Sequence, residues 1–201
     1  ARLDNRPELI DTLGRNSFKM ESIPDSIIIL RSYQKWGKSC VYHFIGDFSF
    51  AIWDINKQQL FCARDFLGVK PFYYCFLNGL FLFCSESRVI AKYSGLPVNI
   101  NEPRIADSLT PHLEGYDTTS TFYKEIFRLP PAHTLELKNG HIRLNLFWRP
   151  EPKKAHVFKS DDECREALTE ILTRAVVDRC RGEKDPALLL SGGVDSAAVK
   201  G

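Results

Sequence analysis

The run Gly46-Asp47-Phe48-Ser49-Phe50-Ala51-Ile52-Trp53-Asp54, with Leu60-Phe61-Cys62-Ala63-Arg64-Asp65 close behind it, decides how the rest of the chain must fold. Side chains alternate along an extended strand, so Phe48, Phe50 and Ile52 share one face and Ser49, Ala51 and Trp53 the other. Both faces are largely apolar, the pattern of a strand covered on two sides. Trp53 is therefore expected in a core layer, where its truncation to Ala would cost about 3–5 kcal/mol. Ile55 to Gln59 is polar enough to turn, and Leu60 to Ala63 returns as a second strand. Phe72 to Phe76 reads as a third strand and Leu80 to Cys84 as a fourth. Between them lies Asn78-Gly79, which readily takes the positive φ angles of a type I′ turn. Four antiparallel strands with two apolar faces need cover on both sides, which predicts a layered α/β (α+β) domain.

Upstream, Ala1 to Asn5 reads as a strand end and Pro7 to Leu13 as a short helix stopped by Gly14. Ser22-Ile23-Pro24-Asp25 leads into a helix to Trp36, with Asp25 a fair N-cap and Ile27, Leu30 and Tyr33 on its buried side, broadened by Ile28 and Ile29. Downstream, Ser85 to Tyr93 is expected to be helical and to end near Gly95. Asn101-Glu102-Pro103 starts another helix, running to about Leu109. Thr121 to Leu129 leads into Pro130 to Leu137, which an Asn139-Gly140 turn joins to Ile142 to Trp148. His133 has no Ser, Cys or acid placed with it and reads as structural. Arg149 to Lys159 is polar and proline-containing, the composition of an inter-domain linker. Ser160 and Glu163 form a capping box for a helix with Leu168, Ile171, Leu172, Ala175 and Val176 on one side. Arg174, Arg179 and Arg181 near its end suit the helix dipole and read as solvated.

Composition excludes several classes. With 201 residues, 44% of them hydrophobic, the chain can bury one full core and part of another. A net charge of +2 creates no field that recruits nucleic acid or an anionic membrane. No apolar run approaches the ~20 residues that span a bilayer. The six cysteines lack C-x-x-C spacing, and three sit in strands that read as buried. They are expected as reduced core thiols, which implies a cytoplasmic setting.

A second constellation follows the apolar run Ala187 to Leu190, which reads as a short strand. It is Ser191-Gly192-Gly193-Val194-Asp195-Ser196. The glycines remove Cβ atoms that would hold a ligand off the backbone, and the following helix presents unpaired N–H groups at its positive end. Ser191 and Ser196 add hydroxyl donors, and Asp195 can reach a magnesium ion. This is a pyrophosphate cradle without the Gly-Lys-Ser/Thr of a Walker loop.

The linked segments GDFSFAIWD, ARDFLGVKPFYY and a strand ending in Ser85-Glu86 resemble the glutaminase domain of the asparagine synthetase family. That domain is a class II glutamine amidotransferase with an N-terminal-nucleophile, αββα fold. RLPPAH, the Asn-Gly turn and FWRP resemble its closing hairpin, with Ala132 where the family usually has Gly. SGGVDS resembles the PP-loop of ATP pyrophosphatases, shared by asparagine, GMP and NAD synthetases and tRNA-thiolating enzymes. The class II glutaminase segments upstream select the asparagine synthetase family among these.

The resemblance implies an amidotransferase-like domain over residues 1–150, a linker over 151–159, and the start of an ATP-binding synthetase domain over 160–201. It implies a glutamine site in which Ala1 and Arg2 stand where the family's loop carries Gly and Glu, and Asp25 holds the α-amino group of glutamine. Asp25 as a simple helix cap is the other reading of the same residue. It implies ATP bound by Leu189, Ser191, Gly192, Gly193, Val194, Asp195 and Ser196, with Mg²⁺ at Asp195. The implied reaction forms asparagine from aspartate, glutamine and ATP, through an acyl-adenylate and ammonia passed between sites. The partners are then small molecules, with no nucleic acid and no membrane, and a homodimer is compatible. The family nucleophile is an N-terminal Cys, and Ala1 opens this chain. Together with a helix that stops in its first turns at Gly201, this reads as a fragment, expected to be inactive alone and to bind ATP poorly. A related cyclase of the β-lactam or lasso-peptide type and a truncated non-enzymatic product are the other readings.

Overall fold

The chain divides into two units, Ala1–Arg149 and Pro150–Gly201, and a computed structural model describes residues 1–14, 23–93, 98–110, 117–151, 157–182 and 185–200. In the first unit Arg2–Leu3 (β1) leads into the helix Arg6–Leu13 (α1), ended by Gly14. The helix Asp25–Trp36 (α2) is followed by a 3-10 helix over Gly37–His43 and the short strand Gly46–Asp47 (β2), which pairs antiparallel with β1. Next come Ser49–Asp54 (β3), Gln59–Arg64 (β4), Tyr73–Leu77 (β5) and Leu80–Cys84 (β6). The helices Ser87–Ala91 (α3) and Glu102–Ser108 (α4) and the strands Phe127–Arg128 (β7), His133–Lys138 (β8) and His141–Leu146 (β9) follow.

The larger strands form two antiparallel sheets, β3-β4-β8-β9 and β6-β5-β7. The four consecutive strands of the sequence are therefore shared out, one hairpin to each sheet. Three cores separate the layers. α1 and α2 press Leu9, Ile10, Ile28, Ile29 and Tyr33 onto Phe61 and Ala63 of β4, with Phe50 and Ile52 of β3 beside them. Between the sheets, Cys62 and Leu135 meet Phe72, Tyr74 and Leu129. On the far side, Cys75 and Ile126 pack with Ile90 of α3. The order helix, sheet, sheet, helix is the αββα layering that an N-terminal-nucleophile amidotransferase domain requires.

Local chemistry explains where elements begin and turn. Asn78-Gly79 has φ angles of 52° and 78°, and Asn139-Gly140 of 51° and 75°, so both hairpins turn through two left-handed residues as expected. α4 starts where expected, with the Asn101 side chain accepting from the Arg104 N–H at 3.4 Å.

Other expectations are corrected. Asp25 is not the cap of α2: Pro24 occupies that position, and Asp25 is the first helical residue. The buried side of α2 is Ile28, Ile29, Ser32 and Tyr33, while Ile27 and Leu30 are each 40% exposed. Two i, i+4 pairs, Ile28/Ser32 and Ile29/Tyr33, face the sheet, and the Ser32 hydroxyl there has no hydrogen-bond partner. Trp53 is 53% exposed rather than buried. It lies on the face toward the second sheet, opposite Leu60, but on the edge strand β3 at its outer end, where cover runs out. α3 is shorter than expected, and Gly95 lies outside the described residues.

In the second unit Asp161–Cys180 (α5) is capped by Ser160, whose Oγ accepts the Glu163 N–H at 3.2 Å. Glu163 reaches back to the Lys159 N–H at 2.6 Å, completing the expected reciprocal cap one residue earlier than usual. Among the described residues α5 has none that is buried; Leu168 and Ile171 are exposed. Ala187 to Leu190 forms no strand, and Leu189 is 94% exposed. A strand needs a neighbour for its backbone N–H and C=O groups, and among the described residues none pairs with this segment. Val194–Lys200 (α6) follows it. Of the stretch 151–159 read as a linker, residues 152–156 lie outside the described set, as do Ser22 and Gly201.

Candidate functional site

The first site is built on Gly46. Its φ is 135°, and a Cβ there would lie 2.2 Å from the Arg2 carbonyl oxygen, so only glycine lets the opening segment lie against it. That contact produces the β1–β2 pairing, Arg2 opposite Asp47 and Leu3 opposite Gly46. The segment is pinned further along. The Asp4 N–H donates to Ile45 O at 2.7 Å, and the Asn5 side chain accepts from the Ile45 N–H (3.0 Å) and donates to His43 O (2.9 Å).

The first turn of α2 meets this segment through Asp25. One carboxylate oxygen, Oδ2, accepts the Leu3 N–H at 2.9 Å, and Oδ1 accepts from Arg6 Nη1. Arg6 Nη2 donates to Ile23 O at 2.5 Å, so the guanidinium bridges the residue and the turn that precedes it. Arg2 Nε donates to Asp4 Oδ1 at 3.3 Å, and Ala1 is exposed. The structure thus ties Asp25 to the opening strand Arg2–Leu3 through the Leu3 amide, with Ala1 directly before that strand. Arg6 was not singled out in the sequence; its only signal there is a cation opening one helix and an acid opening the next.

A loop after β4 is organised by Arg64 and Asp65, which stand within the sequence motifs quoted above with no role assigned to either. Arg64 is 7% exposed and donates through Nε to Lys70 O at 2.8 Å, through Nη1 to Leu129 O at 2.7 Å, and through Nη2 to Gly68 O. Burial lowers its pKa, which the adjacent Asp65 carboxylate opposes. Asp65 accepts the N–H groups of Val69 (2.8 Å) and Lys70 (2.9 Å), and its own N–H donates to Phe48 O (2.8 Å). The loop thereby fixes Phe48, the residue that follows Gly46-Asp47. His133 directs Nδ1 to Pro131 O at 2.8 Å, in keeping with a structural role.

Three thiols of this unit, Cys40, Cys62 and Cys75, are buried in its cores. All six cysteines are free, and burial pushes Cys40 and Cys62 up to about 12. Cys75 is raised as well, first by burial and then by the charge of Glu125. At neutral pH such thiols stay protonated and unreactive.

In the second unit the Ser191–Ser196 turn leads directly into α6. Ser191 Oγ and Ser196 Oγ are 3.1 Å apart, Ser196 Oγ donates to Gly193 O at 3.1 Å, and the Gly193 N–H points to Ser191 Oγ at 3.4 Å. Gly192 has a φ of 80° with no atom near its Cβ position. Hydroxyls, glycine backbone and a helix start form a donor set that suits a polyphosphate. Among the described residues no group of three or more His, Cys, Asp or Glu could hold a metal by itself. No helix among the described residues is long and apolar enough to cross a membrane.

Comparison with known proteins adds an independent line. Residues 3–148 match the family model described as glutamine amidotransferase domain. Asparagine synthetase (glutamine-hydrolysing) 3 of Bacillus subtilis is 31% identical over 99% of this chain and 32% of its own length. Asparagine synthetase (glutamine-hydrolysing) 2 of the same organism is 29% identical over 97% of the chain and 27% of its own length. The amidase chry2 of Gibberella zeae is 32% identical over 92% of the chain and 27% of its own length. The chain spans about a third or less of the length of the curated relatives it matches.

Proposed function

This chain belongs to the glutamine amidotransferase domain family, and on that premise we propose that it contributes the glutamine-binding part of an asparagine synthetase-like ligase. The observation that carries the proposal is the similarity to a Bacillus subtilis asparagine synthetase over 99% of the chain, which includes Ser191–Ser196 as well as the amidotransferase fold.

In this reading Asp25 holds the α-ammonium of glutamine, and Ala1 and Arg2 flank the ligand. A carboxylate already fixed by two hydrogen bonds is a suitable partner for an ammonium in a partly dry site. Water hydrolyses the glutamine side chain to glutamate and ammonia. ATP activates the carboxylate of aspartate, pyrophosphate leaves, and ammonia attacks to give asparagine and AMP. Leu189, by its backbone, and Ser191, Gly192, Gly193, Val194, Asp195 and Ser196 receive the phosphates. Mg²⁺, when bound at Asp195, neutralises charge on the phosphates. The setting proposed is cytoplasmic, with small molecules as ligands.

A second reading keeps the amidotransferase chemistry but changes the acceptor carboxylate; what supports it is that relatives as similar as amidase chry2 do not carry the asparagine synthetase name. One assay separates them. The protein expressed from its complete coding sequence is supplied with glutamine, Mg-ATP and aspartate. Equal amounts of glutamate, AMP and asparagine are expected. AMP that forms only with a different carboxylate selects the second reading, and glutamine consumption without AMP rejects both.

A further inference from the structure

We propose that Arg6 is a positioning residue for glutamine recognition: it clamps Asp25 so that the carboxylate faces the α-ammonium in one fixed orientation. The inference rests on the reading of Asp25 given above. Asp25 Oδ2 is held by the Leu3 amide at 2.9 Å and Oδ1 by Arg6, so the plane of the carboxylate is set from two sides. Arg6 is itself anchored by Ile23 O at 2.5 Å, two residues before Asp25, and cannot follow a swinging carboxylate. The pair is well shielded, with side-chain exposures of 17% and 12%. Helix stability gives no reason for a cation here. Arg6 opens α1, where the positive end of the helix dipole disfavours it. The ion pair to Asp25 is what holds it there. Arg6 does not touch the ligand; it acts through Asp25.

The test titrates the 201-residue chain with L-glutamine and with glutaramate, the same ligand without its α-ammonium, once thermal melts show that each variant folds. Arg6→Met is expected to weaken L-glutamine by about tenfold, the loss of one charged hydrogen bond's worth of orientation, and to leave glutaramate within about twofold. Arg6→Lys keeps the charge but cannot serve both Asp25 and Ile23, and recovers part of the loss. Should Arg6→Met not fold, Arg6→Lys carries the same comparison, with a selective loss for L-glutamine expected. Equal weakening of both ligands would reduce Arg6 to a structural role and overturn the inference. So would unchanged L-glutamine affinity in the Arg6 variants while Asp25→Asn still loses it, an outcome that leaves the reading of Asp25 intact. An Asp25→Asn variant that does not separate the two ligands, or a wild-type chain that binds neither, overturns that reading and the inference with it.

Discussion

Asp54 ends β3 with its carboxylate held by three donors. Lys57 donates to it twice, from Nζ at 2.9 Å and from its N–H at 3.0 Å, and the Tyr33 hydroxyl donates at 3.0 Å. The Lys57 side-chain bond, then its backbone bond, lowers the Asp54 pKa to about 2. An unfolded Asp titrates near pH ~3.9. A folded-state pKa below the unfolded one means that the contribution is complete above the unfolded value and is lost as pH falls through the folded value. The window is therefore roughly pH 4 to pH 2. Urea midpoints measured across it should fall more steeply for the wild-type chain than for Asp54→Asn, with the two curves converging toward pH 2. Parallel curves would show that Asp54 is not the group that titrates. At the same scale, Asp25 was legible in the sequence as an acid of interest, but its partners were not. Arg6 is 19 residues away along the chain and the Leu3 amide 22, and no local pattern announces a contact of that separation.

At the scale of elements, β3 and β4 divide what their similar sequences suggested. Phe61 on β4 is fully buried between α2 and the sheet, with the Tyr33 ring stacked on it at 5.4 Å, whereas Trp53 on the edge is half exposed. Phe61→Ala should cost about 3–5 kcal/mol, and Trp53→Ala about 1 kcal/mol, by chemical unfolding. Equal losses would put Trp53 back in a core. The hairpins were legible because Asn-Gly meets a purely local demand for positive φ. Sheet membership was not, because it depends on pairings such as Cys62 with Leu135, which only the folded chain makes. The face of α2 was misjudged because Ile27 to Leu30 is apolar all round, and only the sheet beneath selects Ile28 and Ile29 over their neighbours. The strand expected at Ala187 to Leu190 fails for a related reason. Apolar composition makes a segment eligible for a sheet, but pairing makes it a strand.

At the scale of the molecule, the first unit has three cores and a pinned opening segment, while α5 of the second has no buried residue among those described. The glutamine reading therefore rests on a built site, and the ATP reading on a donor pattern in the sequence and turn. The measurement that bears most directly on the account is a crystal structure of the 201-residue chain grown with L-glutamine. The account predicts the α-ammonium of the ligand within hydrogen-bond distance of the Asp25 carboxylate, about 2.7–3.2 Å, beside Ala1 and Arg2 and with Arg6 still on Asp25. Glutamine bound elsewhere, or with its α-ammonium on another acceptor, would contradict it.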